Sequence, residues 1–347
     1  MTLLETQGLD AIVFQNLSNL RYLCGFSGSD GALLVSPGGD CFLCDSRYTT
    51  QAKSQVVAAE QQESRVKAEA IGGWLTAKGA KRIGFEAESL TVAGLERLQS
   101  KGPQEAEWVP LSREQLAFRA CKDADEVAAI QEAAALNAEA LAEVLPLFRP
   151  GAVERDLSLA LEFALKRRGG EEKAFDFIIA SGPRGALPHG VASDRVLAAG
   201  DLVTVDFGTR VRGYHSDETV TLGIGAVDPR LRQIYDTVLE AHDQALAAVR
   251  PGVSLREVDA IARRVIDEAG FGDYFGHGLG HGVGLEVHEF PTLSPRSEDV
   301  AEVGMVLTIE PGIYVPDLGG VRIEDMVLVT AEGAQCLTQI SKSFRSL

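Results

Sequence analysis

Gly200-Asp201-Leu202-Val203-Thr204-Val205-Asp206-Phe207-Gly208, running on to Tyr214-His215-Ser216-Asp217, is the stretch from which the rest of the chain can be read. Val203, Val205 and Phe207 alternate with Thr204 and Asp206, the period of a strand with one apolar and one polar face. Gly208 and Gly213 bracket a short polar turn. A second strand is expected from Tyr214, with Asp217, Thr219 and Thr221 on one face. The pair reads as a hairpin that aims two carboxylates, Asp206 and Asp217, at one place.

The design recurs further along the chain. In Gly304-Met305-Val306-Leu307-Thr308-Ile309-Glu310-Pro311-Gly312, Glu310 stands where Asp206 stood. In Gly320-Val321-Arg322-Ile323-Glu324, Glu324 stands where Asp217 stood. Arg149-Pro150-Gly151 opens an amphipathic stretch ending at Gly169, and Arg250-Pro251-Gly252 opens another ending at Gly270. One duplication is too few copies for a solenoid. Two facing halves would instead bring four carboxylates to one pseudo-two-fold centre. A lone strand carboxylate ordinarily faces water, but four at matched positions of a repeated unit fit that reading poorly. Once buried, they repel one another unless they are protonated or neutralised by cations.

The chain has 347 residues, which suggests two domains. With 33 Lys and Arg against 50 Asp and Glu, its formal charge is −17, which two bound dications would bring to −13. An acidic surface argues against nucleic acid and anionic membranes as partners. No apolar run is long enough to span a bilayer, and the N-terminus lacks the order of a signal peptide. These features imply a cytoplasmic location. Cys41 and Cys44 form a C-x-x-C, but they lie in a strand-like run and no second pair accompanies them. Reduced thiols are therefore expected for the five cysteines.

Residues 1–120 read as a small α/β domain. Strands are expected at 9–14, 32–36, 40–44, 82–86 and near Trp108, with a helix from about Tyr48 to Ala59. Residues 121–347 form the second domain. Helices are expected at 122–147, 153–168, 228–250 and 255–269, and a strand at 175–180. His242 is expected on an exposed helix face. The other histidines crowd the carboxylate hairpins. His189 ends a loop at Pro188-His189-Gly190, and His277, His281 and His288 share one glycine-rich run. Glycine lets the backbone approach a ligand closely. A histidine with two to four carboxylates suits Mn²⁺, Fe²⁺ or Co²⁺, with Zn²⁺ also possible. Two such ions, about 3.5–4 Å apart, would hold a bridging water and lower its pKa to about 7 or below.

The set Asp206, Asp217, His281, Glu310 and Glu324 resembles the metal pentad of the pita-bread metallopeptidases. Further motifs resemble the Xaa-Pro branch, prolidase and aminopeptidase P: Gly276-His277-Gly278-Leu279-Gly280-His281, Val287-His288-Glu289, Ile309-Glu310-Pro311-Gly312 and Arg322-Ile323-Glu324-Asp325. Tyr22-Leu23, Gly25-Phe26-Ser27-Gly28-Ser29 and Asp45-Ser46-Arg47-Tyr48 resemble the creatinase-like first domain of small bacterial members. The resemblance covers nearly the whole chain and implies two α/β halves around a curved antiparallel sheet. It implies that Asp206 holds one metal, His281 and Glu310 the other, and Asp217 and Glu324 both. His189 and His288 match histidines that contact the scissile group, and His277 and Arg322 match residues of the proline-side pocket. One departure is Val220, where members often carry Arg.

The implied reaction is hydrolysis of an Xaa-Pro bond at a free N-terminus, with two divalent ions, Mn²⁺ first, and a metal-bridging hydroxide. Glu310 would move the proton. The implied partners are proline-containing peptides and, at the level of the family, a second copy of the chain in a homodimer. A dipeptidase must read the proline carboxylate, which suits a fixed Arg, and Arg47 is the candidate unless it pairs with Asp45. The short first domain favours prolidase over aminopeptidase P. A methionine aminopeptidase would share the pentad but normally lacks such a first domain. A creatinase-type enzyme or a metal-free binding module would be expected to lose ligands.

Overall fold

The computed structural model describes residues 2–57 and 60–347. The chain forms two compact units, Met1–Ala117 and Phe118–Leu347. In the first unit a six-stranded mixed sheet runs in the order Glu60–Glu63, Cys41–Cys44, Ala32–Val35, Ala11–Phe14, Arg82–Glu86, Glu107–Leu111. Val13, Leu34, Leu43 and Ile83 pack with Ile71, Leu75 and Leu98, which come from the helices Lys67–Ala77 and Val92–Lys101. The helix after Tyr48 is Thr49–Gln55. It is shorter than expected, and the end expected near Ala59 lies outside the described residues. Cys41 and Cys44 are buried and free, and burial pushes the Cys41 thiol up to about 11, so it is a packing residue at neutral pH.

The second unit displays its duplication in backbone detail. Helix Ala124–Val144 is followed by Glu154–Arg167, and Pro229–Ala248 is followed by Leu255–Glu268. Asp123 and Glu126 close a capping box at the first of these. Asp228 caps the third, with Pro229 at its first position. Gly151 donates its N–H to Leu197, and Gly252 likewise to Ala301, at 2.9 and 2.8 Å. Gly200 and Gly304, which open the two hairpins, have φ of 94° and 95°.

Strand Leu202–Phe207 pairs antiparallel with Glu218–Gly223, with Asp206 opposite Thr219. Val306–Ile309 pairs with Asp325–Thr330 in the same way. The stretch expected as a polar turn between Gly208 and Gly213 is itself mostly strand. Thr209–Val211 pairs with Tyr214–His215, and Arg212 and Gly213 turn the corner at positive φ. Its counterpart is Gly312–Val315 paired with Gly319–Arg322. Each hairpin is thus broken midway. Asp217, Glu310 and Glu324 sit at the breaks, and Asp206 lies just inside one. Asp217 therefore precedes the strand that carries Thr219 and Thr221 instead of sharing it.

All six residues of Leu202–Phe207 are buried, because both faces of the strand are covered. Val203, Val205 and Phe207 pack with Leu157, Leu161, Val220 and Leu222, while Thr204 and Asp206 on the other face are buried as well. The strand expected from Phe175 runs instead over Ile178–Ser181. His242 is a correction of greater weight. It is 2 % exposed, on the inner side of Pro229–Ala248.

Candidate metal centre

Breaking a hairpin between two strand pairs frees a side chain from the pleat and lets it turn inward. Here two broken hairpins and one glycine-rich strand converge. His281 lies on the short strand Gly280–Gly282, beside Val306–Ile309. Its neighbour Gly280 sits so close to this strand that a Cβ there would overlap the Thr308 carbonyl, so a glycine is required.

One donor atom each from Asp217, His281 and Glu324 lies within 4.8 Å of the other two. His281 Nε2 is 3.3 Å from Glu310 Oε1 and 3.7 Å from Asp217 Oδ2. Asp206 pairs with the buried Arg322. The other Arg322 nitrogens donate to Thr219 Oγ1 at 3.3 Å, to Tyr314 Oη at 2.8 Å and to the Pro188 carbonyl at 3.1 Å. Thr219 Oγ1 in turn donates to Glu324 Oε2 at 2.6 Å, tying the first hairpin to the second.

Burial pushes the carboxyls of Asp206, Asp217 and Glu324 up, and repulsion among the four acids adds to it. Arg322 offsets only part of this. Burial acts on Glu310 too, but the hydrogen bond and charge of His281 outweigh it and hold that carboxyl at about 2. The protein's own cations do not balance the four acids. Asp206 Oδ1 is moreover buried with no hydrogen-bond partner. A nitrogen donor, four carboxylates and an orphaned carboxylate oxygen fit divalent cations.

The remaining expected residues fall at varied distances from this cluster. The His288 ring lies 4.2 Å from that of His281. His189 is exposed on the loop after the short 3-10 turn Gly182–Ala186. His277 Nε2 is 2.9 Å from Tyr314 Oη, the hydroxyl that Arg322 also meets, and burial pushes the His277 imidazole down. Tyr314 had no sequence signal of its own. Burial pushes its phenol up to about 12, so it remains protonated. In the first unit, Arg47 is exposed. It reaches Asp45 through Nε at 2.9 Å and Nη2 at 2.7 Å, with Asp30 3.4 Å away, which is the local pairing weighed above.

The profile of the Creatinase/Prolidase N-terminal domain matches residues 1–121, and that of Metallopeptidase family M24 matches residues 128–331. The chain is 37% identical over 340 residues to an Xaa-Pro dipeptidase of Pyrococcus furiosus, covering 98% of this chain and 96% of that one. Among solved structures it is similar to an Xaa-Pro dipeptidase from Bacillus anthracis. That match has TM-score 0.95 and 39% identity and covers 99% of this chain and 96% of the other. It is also similar to an X-Pro aminopeptidase from Thermotoga maritima, with TM-score 0.88 and 34% identity over 98% of both chains. A histidine with four buried acids, in a chain whose first 121 residues match the Creatinase/Prolidase N-terminal domain and whose residues 128–331 match the M24 profile, leads to one conclusion: the chain belongs to metallopeptidase family M24.

Proposed function

We propose that this chain hydrolyses the bond before proline in peptides with a free N-terminus, acting first on Xaa-Pro dipeptides. The observation that carries the reading is the under-neutralised cluster of His281 and four acids in a chain whose full-length relatives include Xaa-Pro dipeptidases. Asp206 would hold one divalent ion, His281 and Glu310 the other, and Asp217 and Glu324 both. Nitrogen and oxygen donors without thiolate suit Mn²⁺ first, then Co²⁺, Fe²⁺ or Zn²⁺. Bound there, such ions supply Lewis-acid polarisation of a carbonyl and a water acidified toward neutrality.

The chain's own groups supply the rest. Glu310, whose Oε1 lies 3.3 Å from His281 Nε2, would accept the water's proton and pass it to the departing proline nitrogen. His288, with His189 beside the substrate, donates to the oxyanion as it develops. Arg322 fixes Asp206, while His277 and Tyr314 line the proline side. The peptide's free terminal amine would sit near Asp206, which limits cleavage to the first bond. The proline nitrogen of the scissile bond has no N–H to recognise, so selection falls on the carbonyl and the ring.

A second reading is cleavage of longer Xaa-Pro-Yaa peptides. The pairing of Arg47 with Asp45 favours it, because that guanidinium already has a carboxylate partner. The test supplies Mn²⁺-loaded protein with an Xaa-Pro dipeptide and an Xaa-Pro-Yaa tripeptide, with Arg47→Ala alongside. Dominant dipeptide cleavage that collapses in the variant supports the dipeptidase. Efficient tripeptide cleavage with the variant unaffected supports the aminopeptidase. Cleavage of neither overturns both readings.

A further inference from the structure

The two acids assigned to both ions are each followed by a second acid that faces the other way. Asp217 precedes Glu218, which opens strand Glu218–Gly223, and Glu324 precedes Asp325, which opens Asp325–Thr330. Successive side chains of an extended backbone point to opposite faces. Glu218 and Asp325 are therefore equivalent positions of the duplication, behind the ligand cluster, and they are 0% and 6% exposed.

One cation joins them, and it comes from the C-terminal segment. Lys342 Nζ lies 2.6 Å from Glu218 Oε1 and 3.2 Å from Asp325 Oδ1, and its side chain is 8% exposed. Ile340 N–H donates to the same Glu218 oxygen at 3.2 Å. Asp325 also accepts from the Thr338 hydroxyl, and His242 Nε2 lies 3.2 Å from its other oxygen. Further along the face that bears Glu218 comes Val220, which sits in the apolar core and brings no charge. The cation on this face is thus supplied by the tail. The tail is held by backbone hydrogen bonds from Gly223 to Arg345 and from Gly225 to Leu347, at 2.9 and 2.8 Å. The Phe344 ring packs 5.0 Å from that of Tyr235 and under Arg232.

In front, the halves are tied by Thr219, whose carbonyl accepts from Glu324 N–H at 3.1 Å and whose hydroxyl donates to the Glu324 carboxylate. Behind, they are tied by Lys342. A pair of ions about 3.5–4 Å apart tolerates little drift between the acids that span it. We propose that Lys342 is a positioning residue for the metal pair. By bridging Glu218 and Asp325, it fixes the spacing of Asp217 and Glu324. The proposal rests on the metal reading given above.

The test titrates Mn²⁺ into the metal-free full chain by calorimetry, with electron paramagnetic resonance reporting exchange-coupled Mn²⁺ pairs. Wild type is expected to bind two ions and give the coupled signal. Lys342→Met weakens the second ion by about 10–100-fold, the scale of outer-shell losses, and loses the coupled signal at equal loading. Lys342→Arg restores most of it. Phe344→Ala strips tail packing without touching the charges, so it lowers the melting temperature and leaves both affinities unchanged. If Lys342→Met does not fold, Glu218→Gln/Lys342→Met replaces the buried pair by neutral groups and is expected to show the same loss of coupling. Normal coupling in either Met variant, or equal weakening in Phe344→Ala, overturns the proposal. A wild type that binds no pair overturns the metal reading itself, whereas a wild type that binds a pair beside an unaffected Lys342→Met overturns the positioning role alone.

Discussion

The two faces of one strand junction hold buried acids under opposite conditions. Behind it, Glu218 and Asp325 meet Lys342, and His242 and Thr338 meet Asp325, while one Glu218 oxygen has no hydrogen-bond partner. In front, Asp206, Asp217, Glu310 and Glu324 meet Arg322 and His281, and one Asp206 oxygen meets nothing. The strands, the burial and the carboxylate chemistry are the same. What differs is the ratio, one lysine for two acids behind and one arginine for four in front. Two buried acids bridged by one lysine come closer to balance, whereas four acids sharing one arginine and one histidine are left shorter of positive charge and are shaped to receive it from solution.

The contrast can be broken most severely from the front. Glu324→Gln removes a ligand assigned to both ions. It is expected to abolish cleavage and cut Mn²⁺ stoichiometry from two to one or fewer, as read by calorimetry. The same change behind, Glu218→Gln, should leave the ligand set intact and act only through spacing. His288→Ala keeps the ligands and removes a donor beside His281. It should lower kcat by about 10²–10³-fold with little change in KM, in steady-state kinetics on an Xaa-Pro dipeptide.

Arg322→Ala leaves Asp206 without a partner and should cost the metal-free protein about 3–5 kcal/mol in denaturant unfolding. Added Mn²⁺ should recover part of that, because the ion meets the same carboxylate. The mildest probe is pH. The Asp206, Asp217 and Glu324 carboxyls have raised values in the folded metal-free chain, so the folded state binds more protons than the unfolded one. Their contribution is present below the unfolded value and is lost as pH rises through the folded ones. Calorimetric melting should show the metal-free protein weakening as pH rises above the ordinary carboxylate range, and the gap to the loaded protein widening with it.

The front face was legible in the sequence because alternation, glycine brackets and a repeat all mark it. Gly200 and Gly304 announce both hairpins, and the five ligand candidates stand at matched or motif positions. The back face was not. Glu218 carried no signal of its own, Asp325 appeared only as the last residue of a motif, Lys342 lies in a tail without periodicity, and His242 was assigned to solvent. Only the fold reveals that these four meet. Val220 was read as a missing cation, but the cation on its face arrives from a distant part of the chain.

The first unit hid its edges for other reasons. Strand Glu60–Glu63 is polar and exposed at every position, as suits a sheet edge, and carries no alternation to find. Helix Lys67–Ala77 contains Gly72, which in sequence resembles a breaker. In the fold, a Cβ at Gly72 would overlap the Lys101 carbonyl, so the glycine serves close packing against the segment ending Val92–Lys101.

The most direct measurement strips the protein of metal and returns Mn²⁺ in known equivalents while following hydrolysis of an Xaa-Pro dipeptide and counting bound ions. The account predicts an inert stripped protein whose cleavage returns as the second ion per chain binds. Cleavage that persists without metal, or two ions bound with no cleavage restored, would contradict it.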